Sequence, residues 1–155
     1  MSIYADTSFF VSLYVADRHS PEAERRLALK VPLAPQQTRR LSGTPRLWLT
    51  PLHVAEWTHA IEQHVFRKAI SRREADRLEQ RFQQHRASGL WIEVALPEKA
   101  LELCTQLAIR HGAKLGVRTL DTLHVASALQ LKAERFWTFD ERQEKLARAE
   151  GLKAT

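Results

Sequence analysis

The chain has a single cysteine among its 155 residues, Cys104, and so forms no internal disulfide. One thiolate also excludes the zinc sites built on several cysteines. Set among Leu101, Leu103 and Leu107 in a helical pattern, Cys104 reads as a buried, inert thiol. Long apolar runs are missing too, and none approaches the roughly 18–20 residues that a membrane span needs. The opening residues, MSIYADTSFF, lack the basic start and extended apolar stretch of a secretory signal, so a cytoplasmic location is expected. Acidic side chains are in the minority: 18 Asp and Glu stand against 24 Lys and Arg, giving a net charge of +6. A basic chain favours polyanionic partners, and any acids that cluster within it become informative. What remains, 44% hydrophobic and 27% charged, is the composition of a globular protein, and the length fits one domain over 1–155.

Short strands alternate with helices. Residues 2–5 and 47–49 read as brief strands, 90–96 (LWIEVAL) as a longer one, and 136–139 as the last clear one. Helical character begins at Phe9. Ser20-Pro21 and Thr50-Pro51 each give a cap followed by proline at the first helical position, the former opening a helix to about residue 30. A charged helix spans 71–87, Pro97 starts another that Gly112 should end, and Thr119 should cap a third through Leu131. A final helix over 141–150 stops at Gly151, leaving a stub for an edge strand. Between the halves, the 32–46 segment (PLAPQQTRRLSGTPR) reads as a flexible surface loop. Such alternation implies a parallel sheet with helices on both faces, and an active site at the carboxyl ends of its strands.

Four acids fall where that edge would gather them. Asp6 directly follows the first strand and Asp140 the last, while Asp121 and Glu56 stand near the starts of two helices. Each has an ordinary alternative: Asp6 as a helix cap, Asp121 at a helix dipole, Glu56 as a solvated residue, Asp140 in a turn. Together, four carboxylates at one edge would repel one another unless a cation lay between them. A hard divalent ion that takes oxygen ligands, Mg2+ or Mn2+, answers that need and can activate a water against a phosphodiester.

The segments YADTSF (4–9), LTPLHVAEW (49–57), RTLDTLHVASAL (118–129) and WTFDERQEKLA (137–147) resemble, in order and spacing, the four acidic motifs of PIN-domain nucleases. In size the chain is similar to the VapC-type toxins of bacterial toxin–antitoxin pairs. The resemblance covers nearly the whole length and implies an α/β, three-layer α/β/α fold with a central, mostly parallel sheet of four to five short strands. It implies Mg2+- or Mn2+-dependent endonuclease action on RNA, a homodimer, and a cognate antitoxin whose C-terminal segment covers the cleft. Its metal-binding acids fall on Asp6, Glu56, Asp121 and Asp140, and its supporting hydroxyls on Thr7 or Ser8 and on Thr138.

Other residues have two readings. Arg73, Arg77 and Arg81 recur every four residues and form either a phosphate track for RNA or a solvated helix face. Arg39, Arg40 and Arg46 make a second candidate patch. His124 shares a helix face with Asp121 and is expected to hydrogen-bond inside the site, and no histidine is assigned to a metal. Trp48, Trp91 and Trp137 read as core, and Trp57 as core or interface. Haloacid-dehalogenase-like phosphatases also place an aspartate after the first strand, but they need a second one where Ser8 stands. The remaining alternative is a catalytically inactive PIN-fold module that binds RNA or protein.

Overall fold

A computed structural model provides the structure of the chain and describes residues 2–27 and 45–155. Arg39, Arg40 and nearly all of the 32–46 segment lie outside those residues. The sheet grows from β1 (Ser2–Ala5), which is paired on both sides: with β2 (Arg46–Leu49) through Ile3–Leu47 and with β4 (Arg135–Trp137) through Tyr4–Phe136. Adding β3 (Ile92–Glu93) and β5 (Lys153–Ala154) at the edges gives a five-stranded, all-parallel sheet of order β3-β2-β1-β4-β5. A strand at the centre of such a sheet is covered on both faces, which is why the middle of β1 is apolar rather than alternating.

Successive side chains point to opposite faces and feed two separate cores. Ile3, Ala5, Leu47, Leu49 and Trp137 pack with α1 (Thr7–Tyr14), α2 (Ser20–Arg26), α3 (Pro51–Phe66) and α4 (Arg72–Ala87). Tyr4 and Phe136 face the other way, toward α5 (Ala100–Leu107), α7 (Thr119–Gln130) and α8 (Glu141–Ala149), with the short α6 (Ala113–Leu115) between. The result is the three-layer α/β/α arrangement expected from the sequence. Trp57 is fully buried and stacks on Phe82 at 4.1 Å, so it belongs to the core. Cys104 is buried as expected.

Several boundaries differ from the sequence reading, each for a local reason. The 90–96 run yields only Ile92–Glu93 as strand, because β2 offers a partner there for just Trp48 and Leu49. His19, not Ser20, is the cap of α2, since the Ser20 hydroxyl donates to the Ser12 carbonyl at 2.7 Å. Arg118, not Thr119, caps α7. Gly112 does not end the helix from α5. The backbone passes through a π-helical turn (Ala108–Gly112) and stops at Gly116, whose φ of 64° suits glycine. The C-terminal stub does pair with β4, and Thr155 N–H donates to the Phe136 carbonyl.

Candidate metal centre

The sheet order reverses direction at β1, so the carboxyl ends of β1 and β4 flank the crevice where parallel α/β folds place their chemistry. Asp6 is the first residue past β1, and its N–H donates to the Trp137 carbonyl at 2.9 Å, tying it to β4. Its side chain serves both readings at once. Oδ1 caps α1, accepting from Phe9 N–H at 3.0 Å and the Ser8 hydroxyl at 2.8 Å, while Oδ2 accepts from the Thr138 hydroxyl at 2.8 Å. Only 2% of the residue is exposed. Burial pushes the Asp6 carboxyl above its ordinary range, against the opposing pull of His124, Ser8, Thr138 and the Phe9 amide.

Thr138 continues the chain of contacts. Its hydroxyl oxygen accepts from Asp140 N–H at 2.9 Å while donating to Asp6. Asp140 caps α8, taking Arg142 N–H at 2.7 Å and Gln143 N–H at 3.0 Å on Oδ1. The residue between, Phe139, is stacked on Phe9 at 5.7 Å and on His19 at 4.3 Å, which pins the loop carrying Asp140 against α1. Asp121, in the first turn of α7, accepts from the Gln143 amide at 3.1 Å and from Arg118 Nε at 3.2 Å. Asp6, Thr138, Asp140, Gln143 and Asp121 thus form one connected series.

Glu56 joins from the opposite side of β1. Its Oε2 accepts from the Thr7 hydroxyl and from His124 Nε2, each at 2.5 Å. Burial alone would raise this carboxyl, but the hydrogen bond and charge of His124, with the Thr7 hydroxyl, outweigh it and hold Glu56 below the usual range. Behind His124, the Tyr4 hydroxyl lies 3.0 Å from Nδ1. Burial keeps the Tyr4 phenol protonated, and its hydroxyl shares a hydrogen bond with Nδ1 behind the contact of Nε2 with Glu56. His53 completes the frame. It accepts Thr50 N–H at Nδ1 and reaches the Ala5 carbonyl through Nε2 at 2.7 Å, so the start of α3 is fastened to the end of β1.

The four acids fall into two hydrogen-bonded groups: Asp6, Asp140 and Asp121 joined through Thr138 and Gln143, with Ser8 on Asp6, and Glu56 with Thr7 and His124. They do not form a closed cage: among the described residues no three His, Cys, Asp or Glu side chains stand ready around a single point. Like charges repel, and each carboxylate is held on its own hydroxyl, amide or imidazole donors instead. The donor set fits a hard dication. It consists of carboxylate oxygens, one of them on a buried aspartate whose carboxyl is pushed up by burial and would be brought down by nearby positive charge, with an unpartnered Gln143 Oε1 beside them. Both His124 nitrogens are already engaged, which matches the expectation that it hydrogen-bonds within the site.

His124 contacts Glu56 through Nε2 and so fixes where that carboxylate points. Replacing His124 with Leu is expected to slow the cleavage proposed below about 10- to 100-fold, the usual effect of losing a group that orients a site ligand. Single-turnover rates measured in Mg2+ would check this, and an unchanged rate would show that Glu56 needs no such support.

The arginines are dispersed. Arg73 and Arg77 are exposed, whereas Arg81 lies over the Tyr14 ring at 5.7 Å, at the end of α1 away from Asp6. The sequence reading did not single out Tyr4, His53 or Gln143. A usable signal existed for Gln143: it stands three and four residues before Leu146 and Ala147, on the buried face of α8. His53 stands three residues after Thr50, where a capping box places its reciprocal partner. Tyr4 lies in an apolar strand and carried no comparable mark.

The fold has solved counterparts. VapC20 of Mycobacterium tuberculosis, a toxin that cleaves the sarcin–ricin loop, superposes with a TM-score of 0.65 at 17% identity, covering 97% of this chain and 95% of its own. FitAcB from Neisseria gonorrhoeae gives 0.66 at 15% identity, covering 98% and 95%. VapBC2 from Rickettsia felis, bound to a DNA fragment from its promoter, gives 0.62 at 12%, covering 100% and 98%. At such identities these likenesses speak for the fold alone. No curated protein matches the chain significantly. The PIN domain family profile matches residues 3–149, a span that contains all four acids, β2 to β4 and all of β1 but its first residue, and the chain therefore belongs to the PIN domain family.

Proposed function

We propose that this PIN domain is a Mg2+- or Mn2+-dependent endoribonuclease, the toxin of a type II, VapBC-like toxin–antitoxin pair. The observation that carries this reading is the set of hydrogen-bonded carboxylates in this region: Asp6, Asp140 and Asp121 joined through Thr138 and Gln143, and Glu56 in a second group with Thr7 and His124. A module that merely bound a polyanion would gain nothing from gathering carboxylates there.

Asp6, Asp121 and Asp140 would hold the cation. When bound, it supplies the positive charge that offsets the phosphodiester and favours ionisation of an attacking water. Glu56, kept ionised and oriented by His124 and Thr7, accepts a proton from that water. The water oxygen bonds to phosphorus as the bond to the 3′-oxygen breaks, leaving a 5′-phosphate and a 3′-hydroxyl. Incubation with total RNA is expected to give discrete fragments in Mg2+ and none in chelator. Absence of cleavage in both conditions would favour the inactive binding module.

RNA binding is expected to use the basic surface, with the exposed Arg73 and Arg77 contacting phosphates, while the Arg81 guanidinium lies over Tyr14. On single-stranded RNA each such contact contributes about −0.7 to the slope of log K against log salt. Replacing Arg73 and Arg77 with Ala should flatten that slope by about 1.4, and an unaltered slope would return them to a solvated helix face. The antitoxin partner is proposed because two of the similar folds are described as VapBC and VapC proteins, one of them a toxin. Homodimer formation is proposed with it. Phe66 and Ile109, each 81% exposed, are apolar side chains that a partner chain would cover. Among the described residues no helix is long and apolar enough to cross a membrane.

A further inference from the structure

Two buried polar side-chain atoms among the described residues have no hydrogen-bond partner, Trp57 Nε1 and Gln143 Oε1. They stand in different surroundings. Trp57 lies in the apolar core, stacked on Phe82. Gln143 is only 4% exposed and contacts two of the four acids: its side-chain amide donates to Asp121 Oδ1 at 3.1 Å, and its backbone N–H donates to Asp140 Oδ1 at 3.0 Å. The orientation of the amide follows from these contacts. Turning it over would set the carbonyl against the Asp121 carboxylate, two acceptors facing each other, so the NH2 group stays on Asp121 and the carbonyl is left over.

A buried carbonyl without a donor is unfavourable, and such an atom beside a cluster of acids calls for a specific partner. We propose that Gln143 belongs to the cation site. Its Oε1 supplies a neutral oxygen to the bound ion or to one of the waters that a hard dication retains, while its NH2 group aims Asp121 at the same ion. The neutrality has a purpose. A fifth carboxylate would add oxygen and further repulsion together, whereas an amide adds an oxygen acceptor and a donor that relieves the charge of Asp121. One residue would thereby set the positions of both Asp121 and Asp140. The proposal rests on the metal-dependent reading above.

Calorimetric titration with Mn2+ separates the two. The metal-free wild type is expected to bind saturably, whereas Gln143→Leu and Gln143→Met should bind about tenfold or more weakly. The melting temperature of both variants without metal should be unchanged or higher, because each removes a buried acceptor that has no partner. Unchanged Mn2+ affinity in either folded variant overturns the role given to Gln143 and leaves the nuclease reading standing. A metal-free melting temperature that falls in both variants in step with the lost affinity makes Gln143 a structural residue, and overturns it equally. Wild-type protein that takes up no Mn2+ defeats the metal-dependent reading itself, and this inference with it.

Discussion

Asp6→Asn is expected to reduce cleavage by about a thousandfold or more, equivalent to about 4 kcal/mol of transition-state stabilisation, while making the metal-free protein more stable. Both effects come from one carboxyl. Asp6 is buried at the end of the central strand, and its carboxyl is raised above the ordinary aspartate value of 3.8 chiefly because burial disfavours its charge. The sign of the stability effect follows from proton linkage. A carboxyl whose folded value is raised binds its proton more tightly in the native chain, so its stabilising contribution is complete below about pH 4 and disappears as pH rises through the folded value. Near neutrality the charged Asp6 is therefore a cost to the fold, and the uncharged Asn removes it. Its amide can still accept from Ser8 and Phe9 N–H through its oxygen, although the contact with Thr138 must rearrange. A gain of about 1 kcal/mol would raise the melting temperature by about 2–4 °C in a chain of this size. Scanning calorimetry in chelator is the check. A variant that melts lower than wild type at pH 7 but not at pH 4 would contradict the assignment of Asp6 as a charge stored at the site.

The largest loss of stability is expected on the other face of α3. Trp57 is fully buried, stacked on Phe82 at 4.1 Å and meeting Tyr14 edge-on at 5.4 Å. Trp57→Ala should lose about 3–5 kcal/mol, the range for emptying a large aromatic site, out of a total that for most domains is only about 5–15 kcal/mol. Trp57→Phe should lose much less. It keeps the ring contact and removes an indole N–H that has no acceptor. Urea unfolding of the three proteins measures this directly. Equal losses for Ala and Phe would mean that the indole nitrogen, rather than ring packing, holds the helix. Because Glu56 is the preceding residue on α3, the Ala variant should also blur the placement of Glu56 beside His124.

Much of this molecule can be read from residue order, and the limits are instructive. Asp6 was recognisable because it directly follows an apolar strand, and Asp140 because it comes soon after one, although that strand ends at Trp137 and not at Phe139 as the sequence suggested; a parallel sheet delivers its strand ends to one edge. Thr50-Pro51 gave the start of α3 correctly, since proline at the first helical turn has few other uses. The 90–96 run misled because strand propensity says nothing about how many residues of a partner strand are available, and β2 is short. Gly112 misled because a glycine can be carried inside a helix, whereas the left-handed Gly116 is what the turn required. The Arg81 position fits a four-residue repeat on paper, yet its guanidinium lies over Tyr14. Most telling is the difference between gathering and caging. Sequence spacing brings the acids to one edge, but hydroxyls, amides and one imidazole decide where each carboxylate points. His124 was legible because it shares a helix face with Asp121, whereas Gln143, and Tyr4 behind His124, are single residues whose meaning depends on neighbours distant in the chain.

Anomalous diffraction at the manganese edge, from crystals soaked in MnCl2, would locate the ion without reference to activity. A single strong peak, or a close pair, contacting Asp6, Asp121 and Asp140 is the expected outcome, and it should vanish in crystals of Asp6→Asn. Manganese elsewhere on the surface, with those carboxylates still on Ser8, Thr138 and Gln143 alone, would contradict a divalent-metal centre at this edge of the sheet.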